Sequence, residues 1–326
     1  MGSADSVPEM EPALVSVGLA SYNRPQLLRR AIDSIRAQSY RNLEILVSDN
    51  GSTDPEVHEL IKNFAQNDHR VKFVLHPENR GAFFNFCWLL SQAKGEYFIW
   101  LADDDYWCDG FLESLMASAR QSGAALTYGR ASVVDVPVAE KDAIAKEMSS
   151  TTGAFSSVLR FIRFDSDSIF YGVFRRETGQ KLCGFLRNWR LPVGWASDYP
   201  FLEYNFVSYV FLYGILATGG FCNASSDKTI HYVGGRAPFR NLPSLGRRHL
   251  VLLLAYVLIH MQMVVRFARS AFTVGSLIGA LLAPVAGSFL FLRRIGMILS
   301  QRLRKNPKNI ELSRSPESSF DSSDMQ

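Results

Sequence analysis

The first hundred residues switch between two hydrophobic periods, with a cluster of turn residues at each change. "ALVSVGLA" at 13–20 is a short, β-rich apolar run. The proline-led "PQLLRRAIDSIRAQS" then places Leu28, Ala31, Ile32 and Ile35 on one helical face. "NLEILVSDNGSTD" reads as a strand entering a turn. "PEVHELIKNFAQN" reads as a helix, because Val57, Leu60, Ile61 and Phe64 recur at helical spacing. "RVKFVLHPENRG" is a third strand and turn, "AFFNFCWLLSQAKG" a helix closing at Gly95, and "EYFIWLADDD" a fourth strand. Strands alternating with helices over short connections predict an α/β domain with a mainly parallel central sheet. Such sheets bind ligands beyond the carboxyl ends of their strands. "SYNRP", "SDNGSTD", "ENRG" and "ADDD" all fall at that edge.

Beyond residue 110 the pattern loosens. "ESLMASARQSG" is helical, "ALTYGRASVVDV" strand-like, and the Ser/Thr-rich 139–156 a loop. "SIFYGVFRRE" returns to strand and then helix, a helix follows Asp198 in "GWASDYPFLEYNFVSYVFLYG", and "DKTIHYVGGR" is a strand and turn. No internal repeat is visible. From 250 the chain turns apolar. "LVLLLAYVLIHMQMVV" (250–265) carries only His260 and Gln262 as polar residues, and "AFTVGSLIGALLAPVAGSFLFL" (271–292) has no charge. The second run is long enough to cross a hydrocarbon core. The first is short, and crosses only with its flanks or lies in the interface. Arg247 and Arg248 precede the pair and a basic collar follows it, so the positive-inside rule places both ends in the cytoplasm. "RFARS" would then be the outer turn of a hairpin, although its two arginines sit poorly there. Buried helices in a soluble oligomer are the other reading of the same pattern.

Composition changes this picture little. The 326 residues are 47% hydrophobic and 20% charged, enough for one large domain or two modest ones with a sizeable core. A net charge of +4 gives no case for nucleic acid. Its distribution matters more: Arg293, Arg294, Arg302, Arg304, Lys305 and Lys308 form the collar, and a Ser-rich acidic tail follows. The acidic "MGSADSVPEMEP" lacks the apolar core of a signal peptide. Cys87, Cys108, Cys183 and Cys222 have no CxxC spacing and read as free thiols of a reducing compartment. The sequons at Asn50 and Asn223 are then coincidental. The expected organisation is a disordered 1–12, an α/β domain at 13–245 in two parts (13–110 and 111–245), membrane-associated helices at 246–300 and a disordered tail at 301–326.

The chemistry concentrates in "LADDDYW". Asp103, Asp104 and Asp105 follow directly on an apolar strand. Two such charges ~4–8 Å apart repel by roughly 2–4 kcal/mol at an effective dielectric near 20. Each raises the other's pKa unless positive charge intervenes. Mg2+ or Mn2+, which prefer oxygen ligands, supply such charge. A solvated acidic turn is the plainer alternative.

"VSVGLASYNRPQLLRRAIDSIRAQSYRNLEILVSDNGSTD…ENRGAFFNF…GEYFIWLADDDYW" closely resembles the catalytic domain of glycosyltransferase family 2, which has the GT-A, Rossmann-like nucleotide-sugar-binding fold. The resemblance is strong over 14–115 and weak to about 235. It implies that Ala20 and Tyr22 contact the base and ribose, and that Asp49 accepts from the imide NH of a uracil or thymine. An Asp that opens an Asx-type turn is the plainer alternative for Asp49. Asn79, Arg80 and Gly81 resemble the family's "N-x-G" loop near the nucleotide, where the arginine meets a phosphate or a carboxylate. "ADDD" resembles the DXD-type motif with Ala102 in place of its first acid. Asp104 would then face ribose or sugar, Asp105 would bind the metal, and Asp103 has no settled role. Asp198 matches the general base that opens a helix, with Glu203 as the alternative, and His231 resembles a late histidine near the metal. A helix cap and a structural strand histidine are the plain readings of Asp198 and His231.

The expected protein is therefore an inverting, metal-dependent glycosyltransferase using a nucleoside-diphosphate sugar, UDP-linked, and Mn2+ or Mg2+. Its acceptor would be lipid-linked or a surface glycan, at the cytoplasmic face of a membrane. A nucleotidyltransferase is the rival, but "ASYNRP" lacks the Gly-rich basic loop that chemistry uses. A degenerate nucleotide- or sugar-binding module is the non-enzymatic rival, and the intact acid cluster speaks against it.

Overall fold

The computed structural model describes residues 11–134, 148–164, 168–186, 200–224, 229–233 and 264–305. A seven-stranded sheet runs in the order β3-β2-β1-β4-β8-β6-β9. Its first four members, β1 (Val15–Ser21), β2 (Leu43–Asp49), β3 (Val71–Leu75) and β4 (Tyr97–Ala102), are parallel. The helices between them are α1 (Pro25–Arg36), α2 (Pro55–Asn67) and α3 (Ala82–Gln92). The expected sheet is thus present, and α2 has the bounds its periodicity predicts. α3 stops short of Gly95, which lies so close to β1 that a Cβ there would sit 2.6 Å from the Ser16 amide nitrogen.

Both faces of the sheet are covered, and the strands alternate between two cores. Val15, Val17, Leu19, Tyr97, Ile99 and Leu101 pack with the buried residues of α1, α2 and α4 (Phe111–Ser122). Phe98 and Trp100 point the other way, onto α3 and the rings of Phe170, Phe174 and Phe211. Trp100 stacks on Phe170 at 4.4 Å between ring centroids. The edge of the sheet away from the loops is tied by Glu44, which accepts from the Ser16 hydroxyl at 2.6 Å, the Lys94 amide at 2.7 Å and Lys72 Nζ at 2.7 Å. Burial would raise this carboxyl's pKa, but those partners hold it below its usual range.

The second half departs from the pattern in two places. "ALTYGRASVVDV" is not one strand: β6 (Leu126–Tyr128) joins the main sheet, while β7 (Arg130–Val134) joins a three-stranded sheet, β5-β10-β7, with β5 (Tyr106–Trp107) and β10 (Thr229–Val233). Gly129 makes the break, with Phe111 packed where a Cβ would be. The expected loop ends early, because α5 (Ala154–Phe164) begins inside it. β8 (Val173–Arg175), α6 (Arg176–Leu186), α7 (Pro200–Leu216) and β9 (Phe221–Asn223) complete this half.

Of the two apolar C-terminal runs, residues 250–263 lie outside the described residues, and the second run is cut differently from its hydropathy. "RFARS" is inside a helix, α8 (residues 264–273), and is not a turn. The uncharged run 271–292 is not one segment: the chain reverses at Val274–Ser276 and resumes in α9 (Leu277–Lys305). Gly275 takes a positive φ of 78°, and the Ser276 hydroxyl caps α9 by accepting from the Gly279 amide at 3.1 Å. α8 and α9 pack on the domain through Phe267, which stacks on Tyr213 at 4.3 Å, and through Ser270, which donates to the Val210 carbonyl at 3.0 Å. Among the described residues, no helix is long and apolar enough to cross a membrane.

Candidate functional site

Register brings the predicted loops together. Ser21 pairs with Asp49 across β1 and β2, and Ala20 pairs with Ala102 across β1 and β4. The carboxyl ends of these strands are therefore level. The polar segments that leave them are held by a set of asparagines. Asn23, in the left-handed region at φ 54°, accepts from the Thr53 amide at 2.9 Å, and its own amide donates to the Ser52 hydroxyl at 2.8 Å. Asn50 donates to Asn79 Oδ1 at 2.9 Å and accepts from the Arg80 amide at 3.0 Å. Asn79 also closes its own turn by accepting from the Gly81 amide at 2.9 Å. Sequence reasoning named Asn79 but missed Asn23, Asn50 and Ser52. Their bonds span about thirty residues of chain, so only their residue type, common in turns, was visible.

Gly51 is the tight point of this arrangement. Its φ is +75°, and a Cβ there would meet the Glu78 carbonyl carbon at 2.4 Å. Gly51→Ala therefore strains the turn and pushes the two loops apart. It is expected to cost about 1–3 kcal/mol of stability and to weaken nucleotide binding, read by denaturant titration and calorimetry. Wild-type values in both would mean that the loops are not coupled.

Asp49 is fully buried. It accepts from the Ser52 amide at 2.9 Å, from the Ser52 hydroxyl, and from His58 Nε2 at 3.2 Å. The Asx-type turn is thus formed, and one further acceptor position remains on a carboxylate. Tyr22 is exposed, with its ring free of the core. The Arg80 guanidinium lies 3.8 Å over the Phe84 ring. Beside it, His76 packs edge-on to Phe84 and Trp88 and bonds Ser48 Oγ at 3.1 Å. Burial, with Arg80 nearby, keeps the His76 pKa below its ordinary value.

The acid triplet occupies the end of β4. Asp103 is buried and accepts from the Tyr22 amide at 3.2 Å. The Arg24 guanidinium bridges Asp103 at 3.2 Å and Asp104 at 2.8 Å. Arg30 donates to the Asp104 carbonyl at 3.0 Å and lies over the Tyr106 ring. Two arginines of the α1 region thus hold the loop, a contact that sequence reading missed. Asp105 is buried. β10 brings His231 opposite Tyr106, the residue after Asp105. Among the described residues, no three His, Cys, Asp or Glu side chains converge closely enough to hold a metal. Asp198 lies outside the described residues; Glu203 falls within α7.

Burial pushes the Asp103 carboxyl up to about 6, although Arg24 and the Tyr22 amide pull it down. Its folded pKa thus exceeds the unfolded value of about 3.9. Its contribution to stability is complete below that value and is lost as pH rises through about 6. Wild type should lose roughly 1–3 kcal/mol relative to Asp103→Asn between about pH 4 and pH 7. Parallel pH profiles of denaturant unfolding would refute this burial penalty.

A parallel α/β sheet with polar loops and carboxylates at its carboxyl edge defines a nucleotide-binding class of domain. Residues 16–177 match the family described as "Glycosyl transferase family 2", and the chain belongs to that family. A GalNAc(5)-diNAcBac-PP-undecaprenol beta-1,3-glucosyltransferase of Campylobacter jejuni is 30% identical over 164 residues, 50% of this chain and 52% of that protein. Glycosyltransferase GlyG of Streptococcus pneumoniae is 34% identical over 117 residues, 36% of this chain and 38% of its own. The chain therefore spans about half or less of the length of these curated relatives. S. aureus TarS 1-349 superimposes with a TM-score of 0.53 at 15% identity, covering 80% of this chain and 70% of that one. The same protein in complex with UDP-GlcNAc gives 0.53 at 16% identity, over 77% and 66% of the two chains. These structures are alike in fold.

Proposed function

We propose that this chain is an inverting glycosyltransferase. It moves a sugar from a UDP-linked donor to a hydroxyl of a lipid-linked or surface-glycan acceptor, at the cytoplasmic face of a membrane. The observation that carries the reading is the acid triplet at the end of β4, set level with the loops after β1 and β2 in a family 2 domain. The TarS complex with UDP-GlcNAc supports a uridine donor, and the C. jejuni relative, named for an undecaprenol-linked substrate, supports a lipid-linked acceptor.

The donor base and ribose lie against Ala20 and Tyr22, and Asp49 offers its remaining acceptor position to the base. Asn79 and Arg80 border the nucleotide, and Asp104 faces ribose or sugar. Asp103 fixes the loop through Tyr22 and Arg24. The acid triplet offers hard oxygen donors and His231 a nitrogen donor, a chemistry that fits Mn2+ or Mg2+. Asp105 and His231 would hold the ion, which supplies positive charge for the departing diphosphate. Asp198 takes the proton of the acceptor hydroxyl as its oxygen bonds to the anomeric carbon. The bond to the diphosphate breaks on the opposite face, and the nucleoside diphosphate leaves.

The test is a panel of nucleotide sugars scored by thermal stabilisation with and without Mn2+. Ligands that bind the folded state stabilise it by RT ln(1 + [L]/Kd), so a UDP-sugar is expected to stand out. Stabilisation by nucleoside triphosphates alone would favour a nucleotidyltransferase. No response to any nucleotide sugar would overturn the reading.

A further inference from the structure

The helix that follows the Val274–Ser276 turn has two unlike faces. Ala280, Ala283, Ala286 and Leu290 are buried in the core shared with α7. Leu277, Ile278, Leu281, Val285, Phe289 and Leu292 are exposed, Leu281 at 70% and Leu292 at 66%. At 3.6 residues per turn these six fall within an arc of roughly 120° opposite the buried face. Val265 and Phe272 add exposed apolar surface on α8. Most of the large exposed hydrophobic residues described in this chain lie on this one helical pair. Single exposed apolar residues are ordinary; a continuous stripe marks an interaction surface.

Charge identifies the occupant. Residues 228–310 contain thirteen Lys and Arg and no Asp or Glu. A second copy of the chain would bring this acid-free segment against its like, and the repulsion opposes self-association. An anionic lipid surface complements both features, since it accepts an apolar helical face at the acyl boundary and attracts the basic flanks. We propose that α9 lies in the plane of an anionic membrane, its Leu277–Leu292 stripe in the acyl boundary. This rests on the membrane-face reading above and deepens it: α9 is a docking surface, and the buried alanine face holds the catalytic domain against it.

The test uses the full chain and sedimentation with vesicles of phosphatidylcholine alone or with phosphatidylglycerol. Wild type is expected to sediment with the anionic vesicles and to be released by salt. The double variant Leu281→Glu/Phe289→Glu should bind at least tenfold more weakly with an unchanged melting temperature, because both side chains point away from the core. Equal binding by wild type and variant, equal binding to neutral vesicles, or no binding at all overturns the proposal. A dimer in light scattering that the variant dissolves, without vesicle binding, would assign the stripe to a second copy. Insertion mode is read with cysteine labels at 278, 285 and 292, in a Cys108→Ser/Cys222→Ser background, quenched by brominated lipids. Equal depths support the in-plane helix; depth advancing by about 1.5 Å per residue would mean a spanning one. Donor-induced thermal stabilisation of the same preparations is the separate readout for sugar transfer. It should survive in Leu281→Glu/Phe289→Glu, so loss of docking and loss of the catalytic reading are distinguishable.

Discussion

Asp105→Asn is expected to abolish sugar transfer and to remove the Mn2+ dependence of donor binding, while the fold persists. Asp105 is a buried acid directly after β4, and β10 sets His231 beside the next residue. The amide keeps the shape of the side chain but loses the anionic charge that a hard divalent ion requires. On the proposed assignment, the charge developing on the leaving diphosphate would then lose the counter-charge that the ion supplies. Calorimetry with UDP-sugars, with and without Mn2+, should show weakened and metal-independent binding. Circular dichroism and the melting transition should report an intact domain. Normal turnover with Mn2+ or Mg2+ present would refute the assignment.

Asp198→Asn has a comparable effect on turnover and a different signature. The proposed base acts on the acceptor, so donor affinity and its metal dependence should remain. Asparagine caps helices about as well as aspartate, so any capping of α7 is preserved. Only the proton-accepting carboxylate is lost, and turnover should fall by roughly 10²–10⁴-fold. Product formation and donor calorimetry on one preparation separate the two variants: Asp105→Asn loses donor affinity and Asp198→Asn does not. Turnover within a few-fold of wild type would move the base to Glu203. A fall in melting temperature that tracks the loss would make Asp198 a cap.

The two halves of the chain were unequally legible. β1 to β4 and α1 to α3 emerged from periodicity because each is a local pattern, and the parallel sheet buries it uniformly: Leu28, Ala31, Ile32 and Ile35 are all buried, as are Val57, Leu60, Ile61 and Phe64. The run 271–292 misled because hydropathy is blind to a cap. "VGS" inside an uncharged stretch looks like continuous membrane segment, yet Gly275 and Ser276 end one helix and start another.

By itself the sequence determined the element types of the donor half, the edge at which its polar loops gather, and the acid triplet there, since all of these follow from residues a few positions apart. Only the tertiary structure decided which distant groups meet. It set Arg24 between Asp103 and Asp104, bonded Asn50 to Asn79 and Asn23 to the Ser52–Asp54 turn, paired His231 with Tyr106, and divided α9 into a buried alanine face and an exposed leucine face. These pairings depend on strand order and helix packing. They join residues far apart in the chain, whose mutual energies appear only once the backbone has closed the intervening loops.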